Sequence, residues 1–234
     1  IDDIDRLNNE QIRLIFQLVN SVAGFPNMIY LLSFDRSVVV RALSEEQNCN
    51  GEEYLEKIIQ VPFDVPEAKK EQIENVFFNE LKNIVVDVPE DRLDLDYWNT
   101  VFRVCISGFI NSIRDVNRII NSYKLTYALM HTETNWVDLL CITTLKIYAP
   151  AIYNWIRDNI NRLVGVSNTA TSRQEQQEIR TNYINEFSNV YDKWPEKMLN
   201  IIQTLFPRFS WETGEYYHNN KTAEELITKQ EIEI

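Results

Sequence analysis

The longest uninterrupted apolar run in these 234 residues is Met28-Ile29-Tyr30-Leu31-Leu32, five residues. A helix that crosses a bilayer needs about twenty, so no membrane-spanning segment is expected in this stretch of chain. With Pro26 and Asn27 before it and Ser33-Phe34-Asp35 after it, the run predicts a fully buried parallel strand flanked by helices. Apolar residues elsewhere are spaced. Ile12, Ile15, Phe16, Val19 and Val22 recur at three- and four-residue steps, which predicts a helix capped by Asn8 or Asn9 and closed by Gly24 and Pro26. Asp35 can cap a second helix, Ser37 to Leu43. A polar connector ends in Asn50-Gly51, a turn signal. A short helix, Glu52 to Lys57, then leads into Ile58-Ile59-Gln60-Val61, read as the last strand before Pro62 and Pro66.

After Pro66 the strand signal stops. Ile73, Val76, Phe77, Leu81 and Ile84 mark one helix face within Glu67 to Val86; Tyr97, Trp98, Val101, Phe102, Cys105, Ile106 and Phe109 mark another, with a break at Gly108. Helices are expected at Trp136 to Tyr148, Ala151 to Val164, Arg173 to about Asp192 and Glu196 to Leu205. Pro150 separates the first two, and Pro207 is read as stopping the last. The formal charge of −12, from 23 basic and 35 acidic residues, argues against nonspecific binding to nucleic acid or anionic lipid. Three cysteines at irregular spacing and only two histidines predict neither a zinc site nor a disulfide framework, and fit a reducing, cytoplasmic setting.

The first seven residues, Ile1-Asp2-Asp3-Ile4-Asp5-Arg6-Leu7, gather three carboxylates and an arginine at the end of what reads as an apolar strand. That is the pattern of a Walker B segment, in which one acid serves the Mg²⁺ shell and its neighbour polarises the attacking water. Asp2 is the candidate metal ligand and Asp3 the candidate catalytic base. An acid-rich helix N-terminus would give the same composition.

The order of motifs separates these readings. After the acids come an amphipathic helix, then Met28 to Arg36, Gly51-Glu52-Glu53-Tyr54-Leu55-Glu56-Lys57-Ile58-Ile59-Gln60-Val61-Pro62-Phe63, Ser112-Ile113-Arg114-Asp115-Val116-Asn117-Arg118-Ile119-Ile120-Asn121 and Leu205-Phe206-Pro207-Arg208-Phe209. From Ile1 to about Trp211 the chain resembles the KAP family of P-loop NTPases, which includes membrane-linked scaffold ATPases and phage-exclusion proteins. The resemblance implies an α/β P-loop NTPase remnant with a partial parallel sheet, followed by a mainly α-helical lid and C-terminal region, predominantly helical overall. It implies ATP and Mg²⁺ as ligands of the intact parent, a γ-phosphate sensor at Asp35, and a lid arginine at Arg114 within an Arg-Asp-x-x-Arg motif. Arg36 either reaches the phosphates or pairs with Asp5. Lys57 is a candidate trans-acting cation, or an ordinary helix-end lysine. Asp115 and Arg118 would also pair naturally along an exposed helix.

The departures carry weight too. None of the five glycines stands in a G-x-x-x-x-G-K-[ST] loop, so the 234 residues read as the C-terminal part of a longer protein. By themselves they are expected to be inactive and to hold no nucleotide tightly. The organisation expected is 1–65 as the C-terminal part of the NTPase core, 66–211 as a helical lid and interaction region, and 212–234 as an acidic, mobile tail. ATP is the expected ligand, with a homo-oligomeric or other protein partner and membrane attachment only through other regions of the parent. The competing reading is a helical protein-interaction module with a degenerate, non-hydrolysing nucleotide site.

Overall fold

The computed structural model of the protein describes residues 1–22, 25–45, 50–89, 93–164, 172–191 and 193–214. The chain divides into two compact units, Ile1–Pro66 and Glu67–Ile234.

The first unit opens with a 3-10 turn, Ile4–Arg6, followed by α1 (Asn9–Val22), α2 (Arg36–Ser44) and α3 (Gly51–Ile58). Local chemistry fixes the helix starts. Asp35 accepts from the N–H groups of Ser37 and Val38 at the head of α2, and Asn50 accepts from Glu52 N–H at the head of α3; both satisfy donors that a helix leaves unpaired. The core is small: Ile4, Ile12, Phe16, Val39, Ala42, Leu43 and Leu55 are buried, with Leu32 and Phe34 packed against them. Phe16 and Phe34 meet edge to face, 5.5 Å between centroids. Gly51 sits so close to α2 that a Cβ there would lie 2.4 Å from the Val40 carbonyl oxygen.

The partial parallel sheet anticipated from the sequence is not formed: the described residues contain no strand. Met28 to Leu32 is extended but alternates rather than being buried throughout. Ile29 is 97% and Leu31 82% exposed, whereas Tyr30, Leu32 and Phe34 face the core side. Its backbone pairing is limited to the start of the chain, where the Ile1 ammonium donates to the Leu31 carbonyl (2.7 Å) and Ser33 N–H donates to the Ile1 carbonyl (2.9 Å). Two bonds around one residue do not make a ladder. The second anticipated strand fails differently, because Ile58 ends α3 and Val61 is 83% exposed. Apolar content alone predicted strands that their backbone partners do not supply.

The second unit is helical throughout its described residues. It comprises α4 (Lys70–Ile84), α5 (Leu95–Val101), α6 (Ile113–Met130), α7 (Trp136–Tyr148), α8 (Pro150–Asp158), α9 (Ile160–Leu163), α10 (Arg173–Val190), α11 (Pro195–Leu205) and α12 (Pro207–Thr213). Its centre is α7, buried at Trp136, Val137, Leu139, Leu140, Cys141, Thr143, Thr144 and Leu145. A helix apolar on most sides belongs in the middle, and α5, α6 and α8 all pack on it. Thr143 and Thr144 satisfy their buried hydroxyls on the Leu139 and Leu140 carbonyls, at 2.7 and 2.8 Å. The Tyr123 hydroxyl of α6 donates to the Trp136 carbonyl at 2.9 Å, tying two core helices together.

Three details differ from the sequence expectation. The break at Gly108 is an irregular corner, a π-helical turn Phe102–Ile106 followed by a 3-10 turn Ser107–Phe109. A Cβ at Gly108 would fall 2.1 Å from Lys197 Nζ, so a larger residue there would displace the end of that lysine. The helix anticipated across Ala151 to Val164 is divided at Asn159. Pro207 does not merely stop α11. It occupies the first turn of α12, where its missing N–H costs nothing. Of the anticipated tail 212–234, Glu212 and the buried Thr213 close α12 and Gly214 caps it; the remainder, including a short helix from Thr222 to Gln230, lies outside the described residues.

Candidate functional site

The acids of the first turn are brought beside the segment 28–36 by the two backbone bonds at Ile1. Asp2 is exposed. The Ser33 hydroxyl, together with Asp3 N–H donating to its Oδ1 (2.8 Å), holds the Asp2 carboxyl below the usual carboxylate range. Asp3 has left-handed backbone, φ 58°, a conformation that Asp tolerates better than most residues. Its carboxylate pairs with Arg6 at 3.0 Å, with both side chains more than half exposed. Asp5 Oδ1 accepts from the main-chain N–H of Asp35 at 3.4 Å. Asp2 thus lies beside Ser33 and Asp5 beside Asp35, and the carboxyls of Asp2 and Asp35 are exposed at one end of the segment.

Asp35 is the N-cap of α2, and all the capping falls on one oxygen. Its Oδ1 accepts from Ser37 N–H (2.8 Å), Ser37 Oγ (2.6 Å) and Val38 N–H (3.3 Å). The Ser37 hydroxyl is the largest of the causes that hold this carboxyl low. Oδ2 accepts from no described residue. Arg36 does not pair with Asp5; its Nη2 lies 2.5 Å from Glu52 Oε2 on α3, and Glu52 raises its pKa. Lys57 is exposed in the last turn of α3.

Arg114 belongs to the second unit, in the first turn of α6, behind the N-cap Ser112. It is exposed and pairs with no described residue. The other two residues of its motif are engaged. Asp115 Oδ2 accepts from Asn111 N–H (3.1 Å) and the Ser112 hydroxyl (2.8 Å), while its Oδ1 accepts from the Tyr148 hydroxyl at 2.7 Å. Burial pushes the Asp115 carboxyl up, but the Tyr148 and Ser112 donors outweigh it and the group titrates below its ordinary value. The guanidinium of Arg118 lies over the Tyr148 ring, 5.1 Å from the centroid. No ion pair joins Asp115 to Arg118 among the described residues.

Sequence reasoning did not find Glu52 or Tyr148. Each stands far along the chain from the residue it holds, on another helix, and no spacing rule connects them.

Among the described residues no group of three or more His, Cys, Asp or Glu side chains could hold a metal by itself. The chemistry of the donor set nevertheless fits magnesium of the nucleotide-bound kind. Such an ion keeps several waters and takes one or two protein carboxylates beside the phosphates, and Asp2 presents one ionised, exposed carboxylate.

The acids of the first turn stand beside Ser33 and Asp35, the arrangement expected of a P-loop NTPase after its Walker B strand. Comparison with known families makes this specific: the KAP family P-loop domain matches residues 1–130, more than half of the chain, and the chain belongs to that family. It is 27% identical over 158 residues to the phage T7 exclusion protein of Escherichia coli (strain K12), a match covering 66% of this chain and 21% of that protein. The chain therefore spans about a fifth of the length of the curated relative it matches. No solved structure matches it. No helix among the described residues is long and apolar enough to cross a membrane.

Proposed function

We propose that this chain supplies the magnesium-side acids and the nucleotide-sensing arginine of an ATPase whose cycle drives a conformational switch, and that the switch serves antiphage defence in the cytoplasm. The observation that carries the reading is the placement of Asp2 beside Ser33, ionised and exposed. Membership of a P-loop family and similarity to a protein named for phage exclusion support it. Bound magnesium would neutralise charge on the nucleotide phosphates.

In this reading Asp2 holds the metal, and the carboxylate of Asp3 orients and polarises the attacking water. Asp35 turns its uncommitted Oδ2 towards the γ-phosphate while Oδ1 keeps α2 capped. Arg36 reaches the phosphates only by leaving Glu52. Arg114 contacts phosphate oxygens through a planar, permanently charged fork. A homo-oligomeric assembly is compatible with Lys57 acting in trans, given its exposure at the end of α3.

The test is a pair of substitutions in the full-length gene product. Asp2→Asn is expected to weaken Mg²⁺-dependent nucleotide binding, because a metal ligand acts in ground state and transition state alike. Asp3→Asn is expected to spare binding and lower turnover. Hydrolysis by Asp3→Asn at the parent rate would refute the base assignment and move the search to Asp5. Unchanged binding by both variants would favour the interaction-module reading instead.

A further inference from the structure

The Arg-Asp-x-x-Arg motif contains three charged residues, and the structure spends them unequally. Two are committed to one tyrosine on another helix. Tyr148 closes α7 and is half-buried; its hydroxyl donates to Asp115, its ring lies under Arg118, and Phe109 stacks on it at 5.4 Å with 27° between planes. Phe109 is itself held, with Lys197 Nζ 4.3 Å from its ring centroid. The chain Lys197, Phe109, Tyr148, Arg118 therefore links α11, the corner before α6, the end of α7 and the first turns of α6. Asp115 adds the corner backbone through Asn111 and Ser112. The third residue, Arg114, stands on this mount with its guanidinium unspent.

We propose that Tyr148 is a positioning residue for nucleotide sensing: Asp115 and Arg118 clasp it to fix the first turn of α6, so that Arg114 is presented to phosphate in one orientation. The inference rests on the reading of Arg114 given above. A long side chain on a frayed first turn would lose much of its contact to disorder, whereas a turn tied to two other helices loses little. The axis of the clasp is specific. Tyrosine provides both a hydroxyl for a carboxylate and a face for a guanidinium. The burial of Tyr148 and the Asp115 carboxylate also push its phenol up, so it remains a donor across the working pH range.

The test is a double-mutant cycle in the full-length gene product, read as the ratio of affinities for a nonhydrolysable Mg-ATP analogue and for Mg-ADP. Tyr148→Phe keeps the ring on Phe109 and under Arg118 and removes only the hydroxyl. It is expected to reduce the ATP-over-ADP ratio by about tenfold, in line with one lost hydrogen bond to a charged acceptor. Arg114→Ala is expected to reduce the ratio at least as much, and the double variant no further than Arg114→Ala alone. A tyrosine that serves only stability would weaken both nucleotides equally, and that outcome overturns the inference. So does an unchanged ratio in Tyr148→Phe while Arg114→Ala lowers it, which leaves the role of Arg114 standing. If Arg114→Ala leaves the ratio unchanged, the reading of Arg114 fails first and the inference falls with it. Should Tyr148→Phe melt too low to assay, Arg118→Ala opens the same clasp from its other arm on α6 and is held to the same outcomes.

Discussion

Replacing Asp115 by Ala in the 234-residue chain should cost unit 2 about 2–3 kcal/mol, and the structure divides that sum. Two of the three donors to Asp115, Asn111 N–H and the Ser112 hydroxyl, belong to exposed residues and recover water when the carboxylate is removed. The third, the half-buried Tyr148 hydroxyl at 2.7 Å, is left without its acceptor, at about 1–3 kcal/mol. Losing an acid from the first turn of a helix adds about 0.3–1 kcal/mol. Asp115→Asn retains an oxygen for Tyr148 and should cost only about 1 kcal/mol, most of it the loss of charge assistance. Tryptophan fluorescence during urea unfolding isolates the effect, because all five tryptophans lie beyond Pro66 and are silent on the first unit. With m of about 2–3 kcal/mol/M for a unit of this size, Asp115→Ala should move the midpoint down by about 1 M. The pH dependence has a definite sign. Asp115 is depressed in the folded state, so its contribution is complete above the unfolded value of about 3.9 and is lost as pH falls through the lower folded value. The gap between parent and Asp115→Ala should therefore close in acid. A midpoint shift under about 0.2 M at pH 7, with m unchanged, would mean that Asp115 does not hold Tyr148.

Phe77→Ala should cost unit 2 about 3–5 kcal/mol, since Phe77 is fully buried with Phe78 and Phe102 at 5.8 and 5.9 Å; the same fluorescence melt measures it. Gly51→Ala should destabilise the first unit by about 1–3 kcal/mol, because its new Cβ meets backbone oxygen at 2.4 Å. Hydrogen exchange at the amides of α2 and α3 should quicken while fluorescence stays unchanged. Isothermal titration of the 234 residues with Mg-ATP should find weak binding or none, since no G-x-x-x-x-G-K-[ST] loop occurs in them. Submicromolar affinity would show that the phosphates are held by groups other than those assigned here.

Helices were legible wherever periodicity and a cap agreed. Asn135 accepts from Val137 and Asp138 N–H at the head of α7, and apolar positions recur after it as far as Tyr148; both signals lie within one stretch of sequence. Asp35 as a cap was legible for the same reason, its donors being two and three residues away. The segment Met28 to Leu32 was misread because five apolar residues look the same whether one face or both are covered, and the missing information is the location of hydrogen-bond partners. Asn159 divides α8 from α9 without a proline or glycine to announce it. Among the candidate site residues, Asp2, Asp3 and Asp35 were singled out from local order. The partner of Arg36 is sixteen residues away, and that of Asp115 thirty-three. Contacts of that range are set by how helices pack, which local pattern does not encode.

The spacing of the Arg-Asp-x-x-Arg motif follows from this packing. At 3.6 residues per turn, Asp115 and Arg118 project about 60° apart on α6, while Arg114 lies about 70° from the mid-line between them. A single aromatic side chain can meet the first two and leave the third clear. An i, i+3 ion pair along the helix, the simpler account of the same spacing, would have joined Asp115 to Arg118. Instead both charges converge on Tyr148, at 2.7 Å to the hydroxyl and 5.1 Å to the ring centroid. Arginine is suited to both of its positions here for different reasons. Over the ring its plane stacks, and at the exposed position its fork is free for two oxygens at once. Lysine at 118 would keep the charge and lose the stacking plane.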